Sequence, residues 1–210
     1  LQEGGDLFDR FINLFFNGAR RGNVYEDAQK PNGDFIQSWV PDDADGDELK
    51  LDDGFEFYDD GSYDSFNSGN DATLQLITTT GGVKKTAAYR WRFHKRAVRG
   101  SSHNYTNLFA LVDAANLTDV AAYTAQMGTL VNVEEWMKVI LGERIAGNWD
   151  CYGYSRGKNM YAYKPTAGGW QLMTWDIDFF DGIDFPPAGV SDPVLASRFF
   201  TTPTFQRIYF

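Results

Sequence analysis

The stretch GNWDCYGYSRGKNMYAYKPTAGGWQLMTWDIDFFDG, residues 147–182, decides how this chain is interpreted. Within it, residues 160–164 and 170–175 alternate around a turn that contains Pro165 and two glycines, which predicts a β-hairpin. Antiparallel pairing places the start of one strand beside the end of the next. Asn159 and Asp176 are therefore predicted to be neighbours, and Asp150 reaches the same end of the hairpin from the preceding loop.

This trio of side chains offers carboxylate and amide oxygens, the ligands that Mg²⁺ and Mn²⁺ prefer. The order Asp, Asn, Asp also fits phosphoryl transfer, in which the first Asp orients or deprotonates an acceptor hydroxyl and the other two hold metal on nucleotide phosphates. Asp178 is the alternative to Asp176, because a continuing strand would point these two carboxylates to opposite sides. Asp and Asn are also common in turns and caps, so a structural role stays open.

Three further side chains lie in the same stretch. Lys158 and Arg156 flank the loop, where a contact to phosphate and an ordinary exposed charge are both open. Cys151 is the single cysteine, which excludes an internal disulfide. No histidine lies near it in sequence to activate the thiol, so we expect Cys151 to be inert.

The clearest helix precedes this stretch. Over residues 133–145 the apolar side chains follow the spacing i, i+3, i+4, i+7, i+8, and Asn132 with Glu135 resembles a capping box. Helices are also predicted around residues 108–116 and 120–127. Nearer the N-terminus, Asn17-Gly18 predicts a strand, a turn and a strand, and a short amphipathic segment at residues 34–40 ends at Pro41. The alternation of Tyr89, Trp91 and Phe93 predicts a strand that points these rings inward.

Acidic residues are concentrated at the N-terminal end: residues 1–71 contain 18 acidic and 5 basic residues. Residues 42–71 are predicted to be mainly loop, with one strand at 55–58. Asp43, Asp45, Gly46 and Asp52 match positions 3, 5, 6 and 12 of an EF-hand loop, but Pro41 at position 1 offers no side-chain oxygen. A solvated acidic loop and calcium binding both remain open.

Charge and hydropathy exclude two classes of partner. The net charge of −10 argues against nucleic-acid binding, although seven basic residues lie between Lys84 and Arg99. No apolar run reaches the roughly 18 residues of a membrane helix, and residues 1–10 lack the features of a signal peptide. We therefore expect neither a nucleic-acid partner nor a membrane span.

Residues 147–182 closely resemble the signature segment of the CotH kinase family, the spore coat protein H-like proteins, with its Asn-x-Asp loop, Lys-Asn-x-Tyr strand and Trp-Asp-x-Asp end. FFNGARRGNVY, residues 15–25, is similar to that family's strand, turn and Arg-Gly-x-Tyr strand, and the helices of residues 108–116 and 133–145 fit its helical part. The resemblance spans roughly residues 11–210.

The resemblance implies an α+β, atypical protein-kinase-like fold: a partial β-rich N-lobe over residues 1–100 and a mainly helical C-lobe over residues 101–210, whose catalytic loop and hairpin at 147–182 carry the metal site. It implies ATP and Mg²⁺ or Mn²⁺ as cofactors, and Ser/Thr acceptors among secreted, surface or spore-coat proteins. Asp150 takes the catalytic position, Asn159 and Lys158 the cofactor-binding positions, and Asn159 with Asp176 or Asp178 the metal positions.

Departures from the family concern nucleotide anchoring. The Arg-Gly-Asn-Ser segment and the nucleotide-anchoring Lys that such proteins carry upstream are absent from residues 1–210, which start inside the first lobe of the family. Gln29 and Asp181 replace a usual Glu and a usual aromatic residue. Two other functions stay open: a non-catalytic module in surface or coat assembly that binds calcium through the acidic loop, and sugar binding by the aromatic hairpin.

Overall fold

The computed structural model describes residues 9–21, 25–28, 30–52, 71–96, 101–154, 156–177 and 192–209. Helices and strands are mixed along the chain, which gives the α+β class predicted from the sequence. The strands are β1 (Asp9–Ile12), β2 (Phe15–Phe16), β3 (Ala19–Arg20), β4 (Tyr25–Ala28), β5 (Asp47–Leu51), β6 (Phe93–Lys95), β7 (Met160–Lys164) and β8 (Gln171–Thr174). The α-helices are α1 (Gly33–Trp39), α2 (Thr86–Arg92), α3 (Thr106–Ala115), α4 (Val120–Leu130), α5 (Val133–Ala146) and α6 (Pro203–Tyr209), with a 3₁₀-helix at Pro41–Asp43 and a π-helix at Leu195–Phe199.

A four-stranded antiparallel sheet in the order β6-β5-β7-β8 organises the structure. Its register pairs Leu51 with both Phe93 and Met160, and Met160 with Thr174. These four residues therefore lie at one end of the sheet, which we call the Met160 end. The predicted hairpin is confirmed as β7 and β8, and the residues that precede β7 and follow β8 lie at the Met160 end.

Both faces of the sheet are covered, so its strands are apolar on both sides. Leu49, Met160 and Leu172 belong to the main core beneath helices α3 to α6. Tyr161 and Met173 face the opposite side, in a smaller core that includes residues of α1. This double coverage fixes the register, because a shift by one residue would exchange the two sets of side chains.

Helix α5 confirms the helix predicted over residues 133–145. The Asn132 side chain accepts a hydrogen bond from the Glu135 N–H at 3.3 Å, which is one half of the predicted capping box. The other half is replaced: the Glu135 carboxylate accepts the Leu172 N–H of β8, at 3.0 and 3.1 Å to its two oxygens. The Glu135 carboxylate, predicted to cap the helix, thus fastens α5 to the sheet instead.

The N-terminal turn is also confirmed. Asn17 and Gly18 have φ values of 49° and 75°, the left-handed pair that a two-residue hairpin turn requires. They connect β2 to β3, and β1 pairs with β4 outside them.

The prediction of a strand at Tyr89, Trp91 and Phe93 is wrong for Tyr89 and Trp91. Residues 86–92 form α2, and only Phe93 opens β6. Tyr89 and Phe93 are buried, whereas Trp91 is 56% exposed. The two buried rings are four residues apart, which fits a helix as well as a strand. The Tyr89 hydroxyl donates to the Gln75 carbonyl at 2.7 Å.

The acidic segment contains a strand that the sequence did not reveal. Residues 42–71 were predicted to be mainly loop, yet β5 lies in the middle of the sheet with Leu49 and Leu51 in the main core. Pairing on both edges outweighs the acidic composition of the segment. The strand predicted at residues 55–58 lies outside the described residues. The division into lobes at residue 100 remains a prediction, and strands from both sides of it share this sheet.

Candidate active site

The loop that follows α5 is held against the helix end by a buried polar contact. Gly147 ends α5 in the left-handed conformation, at a φ of 73°. The side-chain amide of Asn148 then donates to the Glu143 carboxylate at 2.8 Å, and both residues are buried. This contact directs the chain into the core just before Asp150.

Asp150 meets two of the predicted site residues. The Asn159 side-chain amide donates to Asp150 Oδ2 at 3.3 Å, and Lys158 Nζ lies 3.2 Å from the same oxygen. Asp150 and Asn159 are each only 7% exposed. The predicted proximity of Asp150 and Asn159 is therefore observed, and Lys158 supplies the positive charge beside this carboxylate.

The backbone is left-handed at two of these positions. Among the described residues other than glycine, φ is positive at Asn17, at Asn159 (52°) and at Asp176 (62°). Asn17 is explained by its turn. The other two flank the open end of the β7–β8 hairpin, one just before β7 and one just after β8. Asn and Asp adopt this conformation more readily than other residues with a side chain, and left-handed residues other than glycine are concentrated at functional sites.

Asp176 lies at the same end of the sheet as Asn159. It follows Thr174 by two residues, and Thr174 pairs with Met160, the residue after Asn159. The intervening Trp175 packs edge-on against Tyr161, with ring centroids 5.7 Å apart. The Asp176 side chain is exposed. Asp178 lies outside the described residues, so the choice between the two carboxylates stays a prediction.

The donor set at the Met160 end is made of oxygens only. Asn159 and Asp176 offer an amide and a carboxylate oxygen, which suit a hard divalent cation that keeps part of its shell for water and phosphate, while the Asp150 carboxylate lies beside Asn159. In the described ranges, no group of three or more His, Cys, Asp or Glu side chains is arranged to hold a metal.

The other predicted residues fall elsewhere. Cys151 is fully buried, and burial raises the pKa of its thiol, which agrees with an inert role. The Asp43 carboxylate accepts hydrogen bonds from the Thr166 hydroxyl and from the backbone N–H groups of Thr166 and Ala167, which lower its pKa. Asp43 therefore fastens the β7–β8 turn, and calcium binding by the acidic segment stays a prediction.

The family model described as CotH kinase protein matches residues 8–207. The chain belongs to the CotH kinase family. No curated protein matches it. The match covers the whole sheet, helices α1 to α5 and every candidate site residue, so the α+β arrangement above is that of a CotH-family chain. Within the described ranges, no helix has both the length and the apolar character needed to cross a membrane.

Glu143 is a site-supporting residue of this CotH-family chain that the sequence interpretation missed. It follows Trp136 by seven residues and Ile140 by three, so the helical spacing already places it on the buried face of α5. Its burial raises its pKa to about 7, even though the hydrogen bond from Asn148 acts in the opposite direction. An acidic residue on the apolar face of a helix was the available signal.

The titration of Glu143 predicts how stability depends on pH. Since the folded protein binds this proton more tightly than the unfolded chain, the free energy of unfolding should fall as pH rises from about 4.5 to 7. Glu143→Gln keeps an acceptor for Asn148 but cannot titrate, so urea unfolding at pH 5 and 7 should show a fall smaller by about 2 kcal/mol. Burial raises the pKa of Glu135 to about 8, which leaves part of the slope in the variant.

Glu134→Gln is the matched control for that measurement. Glu134 lies on the same helix but is exposed, and its hydrogen bond and ion pair with Lys138 lower its pKa, so it titrates below the pH range used. A pH slope unchanged by Glu143→Gln, or equally reduced by Glu134→Gln, would contradict this account of Glu143.

Gly157 sets the position of Lys158 and Asn159. A Cβ at Gly157 would lie 2.5 Å from Ala72 N and from Asp71 Cβ, and the Gly157 carbonyl accepts the Ala72 N–H at 2.9 Å. Gly157→Ala should therefore destabilise the fold by about 2 kcal/mol, measured by urea unfolding. Gly142→Ala is the control, because a Cβ there meets nothing within 4 Å and alanine favours the helix. Equal effects of the two substitutions would exclude the steric explanation.

Proposed function

We propose that this chain is an atypical kinase that transfers the γ-phosphate of ATP to a Ser or Thr hydroxyl of a protein. The observation that carries the proposal is the contact of Asp150 with Asn159 and Lys158, at the end of a hairpin in a CotH-family chain. Asp176 lies at the same end. The acceptors we propose are secreted, surface or spore-coat proteins, as the family suggests.

Asp150 is the proposed base. Its carboxylate is fixed by Asn159 and Lys158, so one oxygen is held in place while the loop presents the group at the Met160 end. The acceptor oxygen forms a bond to the γ-phosphorus, the bond from that phosphorus to the bridging oxygen breaks, ADP leaves, and the acceptor proton passes to Asp150. Positioning and charge neutralisation supply most of the rate increase in such reactions.

Asn159 and Asp176 would hold a divalent cation, Mg²⁺ or Mn²⁺. A cation bound there would neutralise charge on the ATP phosphates. Lys158 supports the same step: its ammonium lies beside Asp150, within reach of the loop end, where it would contact a phosphate oxygen. The left-handed backbone at Asn159 and Asp176 holds both side chains at the hairpin end.

Metal-dependent binding of nucleotide tests this proposal. We expect a non-hydrolysable ATP analogue to bind in calorimetry with Mg²⁺ and not with EDTA, and Asp176→Ala or Asn159→Ala to weaken binding about tenfold or more, since each removes a ligand of a charged group. Asp178→Ala resolves the alternative carboxylate. Asp34→Asn, an exposed acidic residue of α1, is the control that should change nothing.

The second candidate is a non-catalytic module in surface or coat assembly. It would bind no nucleotide, and calcium would raise its melting temperature through the acidic segment, an effect that Asp43→Ala and Asp45→Ala would reduce. Nucleotide binding that does not require Mg²⁺ and is unchanged in Asp176→Ala would also count against the kinase proposal.

A further inference from the structure

A pocket outside the proposed catalytic residues lies beside the edge strand β6. It has a volume of about 370 Å³, and Arg90, Trp91, His94, Lys95 and Tyr105 are among the residues that line it. We call it the β6 pocket. Nothing in the proposed transfer step uses these residues.

The lining of the β6 pocket combines positive charge with an exposed ring. Arg90 is exposed and forms no ion pair with any described residue, while Lys95 is paired with Asp47 at 2.7 Å. The His94 ring contacts the Trp91 carbonyl at 2.7 Å, and Trp91 itself is 56% exposed. A guanidinium beside an exposed aromatic face suits an anionic group carried on an apolar stem.

The position of the pocket relates it to the proposed active site. Phe93 pairs with Leu51 and Leu51 with Met160, so the start of β6 lies at the Met160 end. His94 Nδ1 is 3.9 Å from Asp52, the residue after β5. Neighbouring strands are about 4.8 Å apart, so the start of β6 lies about 10 Å across the sheet from the start of β7. An extended peptide covers that distance in about three residues.

We propose that the β6 pocket binds an anionic side chain of the acceptor protein, Asp, Glu or phosphoserine, located about three to five residues from the hydroxyl that receives phosphate. This inference rests on the proposed kinase function and adds the class of acceptor. Charge complementarity supports it, because the exposed guanidinium of Arg90 lines the pocket and forms no ion pair with any described residue.

Peptide binding tests the inference without requiring catalysis. Fluorescein-labelled peptides with one Ser and, four residues away, phosphoserine, Glu or Ala are titrated with the full chain, and anisotropy gives each Kd. We expect the phosphoserine and Glu peptides to bind at least fivefold more tightly than the Ala peptide, and Arg90→Ala to abolish that difference. Arg207→Ala, an exposed arginine on α6, is the control that should retain it.

The outcomes separate this inference from the proposed function. Equal affinity for all three peptides, or a preference that survives Arg90→Ala, would overturn the pocket assignment even if phosphate is transferred. Competition of the phosphoserine peptide by ATP, lost in Arg90→Ala, would also overturn it, because the pocket would then belong to the nucleotide. If the preference for anionic peptides depends on Arg90 but the chain transfers no phosphate, the pocket assignment is supported and only the kinase proposal is overturned. Comparison of the Glu and phosphoserine peptides shows which anion the pocket favours.

Discussion

Asp150→Asn is expected to lower kcat for phosphate transfer about a thousandfold while the affinity for Mg-ATP changes by less than about threefold. The amide keeps the shape of the carboxylate but cannot accept the acceptor proton at neutral pH, and general-base groups contribute about 10² to 10⁴ in rate. Asn159 and Lys158 both contact Asp150 Oδ2, so the substitution changes the charge of a group that is already held in place.

Asp176→Ala separates the role of the base from that of a metal ligand. Asp150→Asn should act on kcat, whereas Asp176→Ala should act mainly on the metal dependence and the affinity for nucleotide. Asp34→Asn again serves as the exposed control. If Asp150→Asn lowered affinity and rate in proportion, Asp150 would be a ligand of the nucleotide site and not the base.

Asp192→Ala is expected to destabilise the fold by about 4 kcal/mol, the largest stability effect we predict. Asp192 is fully buried and accepts three hydrogen bonds: from the Leu74 N–H at 2.7 Å, the Val194 N–H at 2.9 Å and the Tyr152 hydroxyl at 3.0 Å. Alanine would leave these three donors without an acceptor, and each buried unsatisfied group costs about 1 to 3 kcal/mol. Urea unfolding measures the loss.

Two variants show whether the hydrogen bonds are responsible. Asp192→Asn keeps one acceptor oxygen and should cost less than half as much, and Tyr152→Phe removes a single donor and should cost about 1 kcal/mol. Burial raises the pKa of Asp192, and the hydrogen bonds to its carboxylate lower it in part. These hydrogen bonds take the place of water around the buried carboxylate. A loss below 1 kcal/mol in Asp192→Ala would contradict this account.

Local patterns predicted the parts of the fold that are determined locally. Helix α5 follows from its spacing and its Asn132 cap, and the β7–β8 hairpin follows from alternation around a turn. Strand β5 could not be predicted, because its partners β6 and β7 lie about 45 and 110 residues away and the local composition is acidic. Helix α2 was misassigned since Tyr89 and Phe93 satisfy both periodicities.

The candidate site shows the same division. The contact between Asp150 and Asn159 could be predicted, because antiparallel geometry brings the loop and the strand start together. The contribution of Glu143 depends on Asn148 folding back onto the helix end, and that of Gly157 on the approach of residues 71–72, which are far away in sequence. The β6 pocket was hidden because the segment that lines it was predicted to be a strand.

Transfer of labelled γ-phosphate from ATP to Ser-containing proteins tests the central claim most directly. We predict incorporation that requires Mg²⁺ or Mn²⁺, is lost in Asp150→Ala and Asp176→Ala, and persists in Asp34→Asn. Absence of incorporation by the unsubstituted chain with bound Mg-ATP, or incorporation that survives in Asp150→Ala, would contradict the assignment of this site as the centre of phosphoryl transfer.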